Sequence, residues 1–351
     1  PAETVDGPLR LDSSQVVVVT GGARGVTAAC TLALARASGA AIAVVGRSAP
    51  PFTEPAWLRE IDGEAAMKQA IAANHAFADS RPTVKALQAA YDTYAANRAI
   101  RQTLTALQAA GVAAGYYRAD VTDRTDLAAT ITTIRNQMGP IAGLIHGSGL
   151  IHDRLIVDKT VDQFRKVYAV KVDGLKHLLA ATEGDHLRYL VLFSSVSART
   201  GNTGQCDYAM ANEALNKIAR SVVLQRPQCR VTSINWGPWD GGMVTPALKK
   251  AMAGKGVDLI PIEIGAAMMV AEMKNADPGP VEVLIGSMLS DTNGPGKAAQ
   301  SEATAMALLE RREIDLQRYP VLASHVIGGK PVVPFALIYE WIGHGAVKEN
   351  P

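Results

Sequence analysis

Thr20-Gly21-Gly22-Ala23-Arg24-Gly25-Val26-Thr27-Ala28 stands between an unalternating apolar run, Val16–Thr20, and an Ala- and Leu-rich stretch that begins at Val26. Glycines at such a junction let the backbone turn tightly and approach a pyrophosphate. The first turn of the following helix offers unpaired N–H groups and a partial positive charge. Thr20, Gly21, Gly22, Arg24, Gly25 and Val26 are therefore expected to cradle a dinucleotide. A three-glycine motif wants glycine near position 27, where this chain has Thr27. The next apolar run, Ala41–Gly46, ends in Arg47-Ser48. An acidic residue there meets a free ribose 2′-hydroxyl, whereas a guanidinium suits a 2′-phosphate. Arg47 and Ser48 thus point to NADPH rather than NADH. Asp120-Val121 is expected near the adenine, and His146-Gly147-Ser148-Gly149 under the adenosine ribose.

A second group has a different character. Ser194-Ser195 closes the apolar run that starts at Tyr189; Tyr208 follows Ser195 by thirteen residues and Asn212 follows Tyr208 by four. Tyr208 and Asn212, one helical turn apart, share a face.

These residues need a scaffold. Short apolar runs at Val16–Thr20, Ala41–Gly46, Gly115–Asp120, Gly143–Gly147, Tyr189–Ser195, Arg230–Trp236 and Val281–Gly286 read as seven buried parallel strands. Helical stretches separate them, notably Asp126–Met138, Thr160–Ala181 and Tyr208–Gln225. Parallel neighbours need crossovers of this length. The expected fold is α/β, a doubly wound, Rossmann-like parallel sheet. Two regions break the alternation. Residues 49–110 are rich in Ala, Gln and Lys and read as a helical insertion, with helical character after Pro55 and again after Pro82. Residues 287–300 have linker composition. The expected division is a first domain over 1–286, a linker over 287–300 and a further segment over 301–351.

Composition excludes several classes. The 351 residues are 48% hydrophobic and 19% charged, which is globular rather than disordered. The 35 basic residues nearly balance the 33 acidic ones, so bulk charge does not recruit nucleic acid. There is no apolar run long enough for a membrane span. Pro1–Ser14 shows no signal-peptide pattern, and a cytoplasmic location is expected. Cys30, Cys206 and Cys229 are too far apart for a CxxC site, and no metal is expected.

The Ser195–Tyr208 spacing resembles the short-chain dehydrogenase/reductase superfamily. That superfamily normally has Lys four residues after the tyrosine. Here Asn212 takes that place and Lys171 lies in the preceding helix, within Val170-Lys171-Val172-Asp173-Gly174. The exchange resembles the ketoreductase domains of polyketide and polyunsaturated-fatty-acid synthases. The resemblance implies a catalytic set of Lys171, Ser195, Tyr208 and Asn212, acting with NADPH on a 3-ketoacyl chain held by an acyl carrier protein. Reduction places negative charge on the ketone oxygen, so donors must be aimed at it and a proton supplied. Tyr208 would give the proton, Ser195 would hold and polarise the carbonyl, and Asn212 would position Lys171 or a water. A free phenol has a pKa of about 10, and a nearby Lys171 ammonium is expected to lower it. The segment Asn235–Met243 resembles the one that packs on the nicotinamide, which implicates Pro238, Trp239 and Met243. Asp153, in Ile151-His152-Asp153, matches the last residue of a stereochemical motif, which implies a 3-hydroxyl of D configuration.

Beyond the linker, His325-Val326-Ile327-Gly328-Gly329-Lys330-Pro331-Val332-Val333-Pro334 has the pattern HxxxGxxxxP, followed by an apolar helix over 335–343. It resembles the start of a dehydratase domain, a hot-dog fold in which His325 would match the catalytic histidine. About fifty residues cannot build that core, so a partial hot-dog-like segment of a longer chain is expected. Expected neighbours are ketosynthase and dehydratase domains. A second reading is a ketoreductase-like scaffold that has lost activity and only joins domains.

Overall fold

The central strands of the main sheet are largely apolar runs whose alternate side chains feed opposite faces. From β1 (Val16–Thr20), Val17 and Val19 enter one core while Val16 and Val18 enter the other. From β2 (Ala41–Gly46), Ile42 and Val44 face the first core, and Ala41, Ala43 and Val45 the second. This explains the absence of polar alternation in the sequence: both faces are covered. The structure is a computed structural model that describes residues 9–74, 82–241, 249, 252, 257–274, 279–287, 314–324, 326–327 and 329–333.

The elements that follow the glycine turn are α1 (Gly25–Ser38), then β2, α2 (Glu64–Asn74), α3 (Val84–Ala109) and β3 (Ala114–Arg118). Next come α4 (Arg124–Met138), β4 (Ile141–His146), α5 (Val161–Tyr168), a π-helical turn Ala169–Asp173, and α6 (Gly174–Ala181). The unit finishes with β5 (Tyr189–Ser195), α7 (Ser197–Thr200), α8 (Cys206–Gln225), β6 (Arg230–Trp236), α9 (Ile262–Lys274) and β7 (Glu282–Ile285). The strands lie in the order β3-β2-β1-β4-β5-β6-β7, and all neighbours are parallel. The chain is thus doubly wound, as expected. The order reverses between β1 and β4, the point where open α/β sheets take their ligands.

One face packs on α1 and α9 through Leu34, Met269 and Met273, and the other on α4, α6 and α8 through Leu127, Ile131, Leu175 and Leu215. Each of these fully buried side chains contributes about 1.5–3 kcal/mol. The stretch 49–110 is less separate than its composition implies. Its outer part has its own small core of Leu58, Met67, Ile71 and Tyr94. The last turns of α3 are the crossover to β3: Leu107 enters the main core, and the Thr103 hydroxyl donates to the Ala23 carbonyl at 2.9 Å.

The chain divides into two units, residues 1–292 and 293–351. In the second, the described residues form a 3-10 turn, Pro320–Ala323, and a minimal antiparallel pair, β8 (Val326–Ile327) with β9 (Lys330–Pro331). The expected helix over 335–343 lies outside the described residues, as does His325. Among the described residues, no helix is long and apolar enough to cross a membrane.

Candidate active site

The glycine turn is built by backbone proximity. Gly21 has φ +73°, its N–H donates to the Val45 carbonyl at 3.0 Å, and the Gly147 N–H donates to the Thr20 carbonyl at 3.0 Å. A Cβ on Gly21 would stand 2.9 Å from both the Gly147 carbonyl oxygen and the Ser148 nitrogen. The ends of β1 and β4 therefore touch without side chains between them. Thr27 is accommodated by the same economy. A Cβ on Gly147 would lie 2.5 Å from the Thr27 Cγ2, so the glycine at 147 vacates the space that a third glycine of the turn normally leaves. Gly22 is buried against Val19, whereas Arg24 and Gly25 are exposed at the start of α1 and Val26 is half-buried.

At the end of β2, Arg47 is exposed, and the Ser48 carbonyl accepts the Tyr116 hydroxyl at 2.9 Å. Burial pushes the Tyr116 phenol up, while Ser48, Arg118 and Arg24 pull it down. Arg118 pairs in register with Gly46, so β3 brings a further cation beside Arg47. Sequence reading missed Arg118, although it ends a strand just as Arg47 follows one. Asp120 is half-buried and accepts the Thr122 N–H and hydroxyl, at 2.9 and 2.8 Å.

Four expected cofactor contacts turn inward. The His146 ring is fully buried, with Nδ1 2.8 Å from the Thr20 hydroxyl and Nε2 2.9 Å from the Lys171 carbonyl. Burial, reinforced by the Lys171 charge, lowers its pKa to about 4. His146 and Thr20 thus fasten β1 to the π-helical turn. Val121 is buried against Gly174, whose missing Cβ lets α6 approach. Trp239 is also a core residue, its ring 4.6 Å from that of Trp236 and lying where a Cβ on Gly265 would stand. Pro238 is half-buried; Met243 lies outside the described residues.

The catalytic candidates converge at the C-terminal end of β5. The π-helical turn inserts an extra residue into the helix that spans Val161–Ala181, at the position of Lys171. Such bulges redirect side chains at functional sites. Lys171 is buried, its ammonium 2.9 Å from the Phe193 carbonyl and 5.2 Å from the centroid of the Tyr208 ring. Burial lowers its pKa to about 7. Ser195 accepts the N–H and the hydroxyl of Ser197 at 3.2 and 3.0 Å. The Asn212 amide nitrogen donates to the Tyr208 carbonyl at 2.8 Å, and its buried Oδ1 meets no donor among the described residues.

The expectation of an acidified Tyr208 is corrected. Burial pushes the phenol up and the Asp153 carboxylate adds to this, while hydrogen bonding with Asn212 and Ser195 draws it partly back. The phenol is therefore kept neutral, which suits a proton donor. Asp153 itself is exposed and accepts the Gln205 amide through both oxygens, at 3.1 and 3.0 Å.

Behind the site, a buried polar network escaped sequence reading. Ser194 donates to the Asn212 carbonyl at 3.1 Å and to Asn235 Oδ1 at 2.9 Å. Asn216 donates to the same Oδ1 at 3.0 Å and accepts Ser233 at 2.7 Å. It fixes α8 against β5 and β6. Its signal in the sequence was Ser194, Ser233 and Asn235, polar residues set in strands that bury both faces. A buried ion pair, Lys159–Asp207 at 2.7 Å, was also missed. Cys30 and Cys229 are buried thiols pushed up to about 12 by desolvation, and Cys206 is half-buried. Among the described residues no cluster of His, Cys, Asp and Glu could hold a metal ion.

A KR domain model matches residues 15–241. One of the chains of the polyunsaturated fatty acid synthase of Thraustochytrium sp. is 37% identical over 335 residues, covering 93% of this chain and 12% of that protein. Polyketide synthase PksL of Bacillus subtilis is 33% identical over 196 residues, covering 54% of this chain and 4% of that one. The chain therefore spans a small fraction of the length of these relatives. Among solved structures, a ketoreductase domain from the bacillaene assembly line superposes with a TM-score of 0.59 at 26% identity, covering 80% of this chain and 57% of that one. An N-terminal ketoreductase from the macrolactin assembly line gives 0.56 at 26% identity, covering 77% and 44%.

Proposed function

Since this chain belongs to the KR domain family, and is by that membership a ketoreductase, we propose that it uses NADPH to reduce the 3-keto group of an acyl chain carried by an acyl carrier protein. The setting we propose is a multidomain polyketide or polyunsaturated-fatty-acid synthase, with ketosynthase and dehydratase domains as neighbours.

The observation that carries this reading is the buried Lys171 ammonium 5.2 Å from the Tyr208 ring, with the Asn212 amide bonded to the Tyr208 carbonyl at 2.8 Å. The dinucleotide fits the close approach of Gly21 and Gly147, where a Cβ on Gly21 would meet the Gly147–Ser148 backbone and one on Gly147 the Thr27 side chain. Gly21, Gly22, Arg24, Gly25 and Val26 would hold its pyrophosphate, and Arg47, Arg118 and Ser48 its 2′-phosphate. When bound, it supplies the hydride that the ketone carbon accepts. Ser195 and Tyr208 donate hydrogen bonds to the ketone oxygen, and the neutral Tyr208 hydroxyl gives that oxygen its proton. Lys171, close to neutrality in its pKa, can restore the proton to Tyr208. The free Oδ1 of Asn212 is placed to hold a water or the Lys171 ammonium in that relay. Desolvation of the corner strengthens each of these interactions.

The carboxylate of Asp153, close enough to influence Tyr208, supports a 3-hydroxyl of D configuration. The HxxxGxxxxP pattern supports reading the second unit as the start of a dehydratase-like, hot-dog segment, with His325 as its histidine. The test is oxidation of NADPH by this chain with a 3-ketoacyl thioester, followed by chiral analysis of the alcohol. A chain that leaves NADPH unconsumed sinks the activity, and an L product sinks the configuration alone.

A further inference from the structure

The segment from His152 to Lys159 forms a strap beside the catalytic tyrosine, and hydrophobic burial does not hold it there. Its apolar residues point outward: Leu155, Ile156 and Val157 are 53%, 73% and 83% exposed. Polar ties hold it instead, all to the few residues that lead into Tyr208. The Arg154 N–H donates to the Gly204 carbonyl at 2.9 Å. Gln205 donates to both carboxylate oxygens of Asp153. Lys159 bridges strap and helix, its ammonium 2.5 Å from the His152 carbonyl and 2.7 Å from Asp207 Oδ2. The first two ties are exposed. The third is not: the Lys159 and Asp207 side chains are 3% and 1% exposed. The other carboxylate oxygen, Asp207 Oδ1, accepts the Tyr208 N–H at 2.9 Å.

A buried ion pair is a poor way to gain stability, because desolvation of both charges offsets their attraction, and apolar residues of like volume often serve as well. Its geometry is directional where apolar packing is not. Here both ends of that geometry lie at the reaction centre: one oxygen of Asp207 is bonded to the backbone of Tyr208, the other to the lysine that closes the strap. We propose that Lys159 and Asp207 are positioning residues for the ketone. They lock the strap to the first turn of α8 and so fix the side from which the acyl chain leaves the carbonyl held by Tyr208. That direction selects which face of the ketone receives hydride. This role rests on the reaction proposed above. Neither residue touches the reacting atoms; they act through the strap, and small shifts of a reactant's pose have large effects on the reacting geometry.

The experiment uses the full chain, NADPH and a 3-ketoacyl thioester, with chiral analysis of the alcohol and a thermal melt for each variant. Lys159→Met should lower the ratio of major to minor enantiomer at least tenfold and raise KM more than it lowers kcat. Lys159→Arg, which keeps the pairing, should restore the ratio to within about threefold of the parent. If Lys159→Met leaves Asp207 buried alone and fails to fold, Lys159→Met/Asp207→Asn removes both charges, keeps an acceptor for the Tyr208 N–H, and should show the same tenfold loss. A melting temperature that falls while the enantiomer ratio stays within twofold of the parent overturns the proposal and leaves a structural tie. A parent chain that does not consume NADPH overturns the reaction as well, so the two failures are told apart by the parent alone.

Discussion

The proposed cofactor turn and catalytic corner both lie at the C-terminal ends of the central strands and are built in opposite ways. The turn works by missing atoms. Gly21 and Gly147 let β1 and β4 approach until a single methyl group would collide, at Gly21 with the Gly147–Ser148 backbone and at Gly147 with the Thr27 side chain. Its charged groups, Arg24 and Arg47, are exposed and free to meet a ligand. The corner works by buried polar side chains. Lys171, Asn212, Ser194, Asn216, Asn235 and Asp207 are all withdrawn from solvent and bonded to one another or to backbone. The first arrangement depends on neighbours in sequence and one close approach. The second draws on β5, β6, α8, the π-helical turn and the strap, and it has value only when all are in place. A site that must approach a phosphate closely needs backbone, and one that must hold a proton at a chosen atom needs dry, fixed dipoles.

The sharpest way to test this contrast is to remove one hydroxyl from the corner. Tyr208→Phe should lower kcat by about 10²–10⁴ in NADPH-coupled turnover, the usual worth of a positioned proton donor. NADPH affinity, measured by fluorescence titration, should change little, because the turn is untouched. Arg47→Ala should do the reverse: KM for NADPH should rise by about tenfold to a hundredfold, the loss of a charge-assisted contact. KM for NADH should hardly move, and an equal effect on both cofactors would remove Arg47 from the 2′-phosphate.

The pH response should belong to the corner. Lys171 has a free-enzyme pKa of about 7, depressed by burial, so it loses its proton as pH rises through neutrality. kcat/KM for reduction should then fall by about tenfold per pH unit above that point, and Lys171→Met should abolish the break. His146 gives a stability counterpart. Its folded pKa is lowered to about 4, while the unfolded chain takes up the proton near the ordinary value of 6.5. Between those values the unfolded state binds more protons, so stability is present above pH 6.5 and is lost as pH falls toward 4. The slope is at most about 1.4 kcal/mol per pH unit. His146→Gln should flatten it in urea titrations across that window.

The mildest perturbation tests the turn. Gly147→Ala should destabilise by about 1–3 kcal/mol through collision with Thr27. Gly147→Ala/Thr27→Gly should recover most of that loss, read as the denaturation midpoint. No recovery would mean that Thr27 and Gly147 are not exchanging space.

Much of this was legible before folding, and the reason is locality. Strand, glycine turn and helix follow one another in the chain, so composition and period carry them. Arg47 at the end of β2 and the spacing from Ser195 through Tyr208 to Asn212 are likewise short-range facts. The unreadable parts are pairings across distance. Nothing in the neighbourhood of Lys159 predicts that Asp207, 48 positions away, will bury its carboxylate against it. Nothing at Gly147 announces that its missing methyl makes room for Thr27. The inward turn of His146 and Trp239 was also invisible, because a polar or aromatic residue at a strand end serves a ligand or a core equally well until its neighbours are known.

The amino-acid sequence by itself determined the doubly wound sheet and singled out the residues proposed for the dinucleotide turn and the catalytic set, because each depends on hydrophobic period and residue spacing along one or two elements. Tertiary structure alone decided the protonation of that set. Burial holds Tyr208 neutral and brings Lys171 down to about 7, since the charge a side chain carries depends on how much water the rest of the fold removes from it.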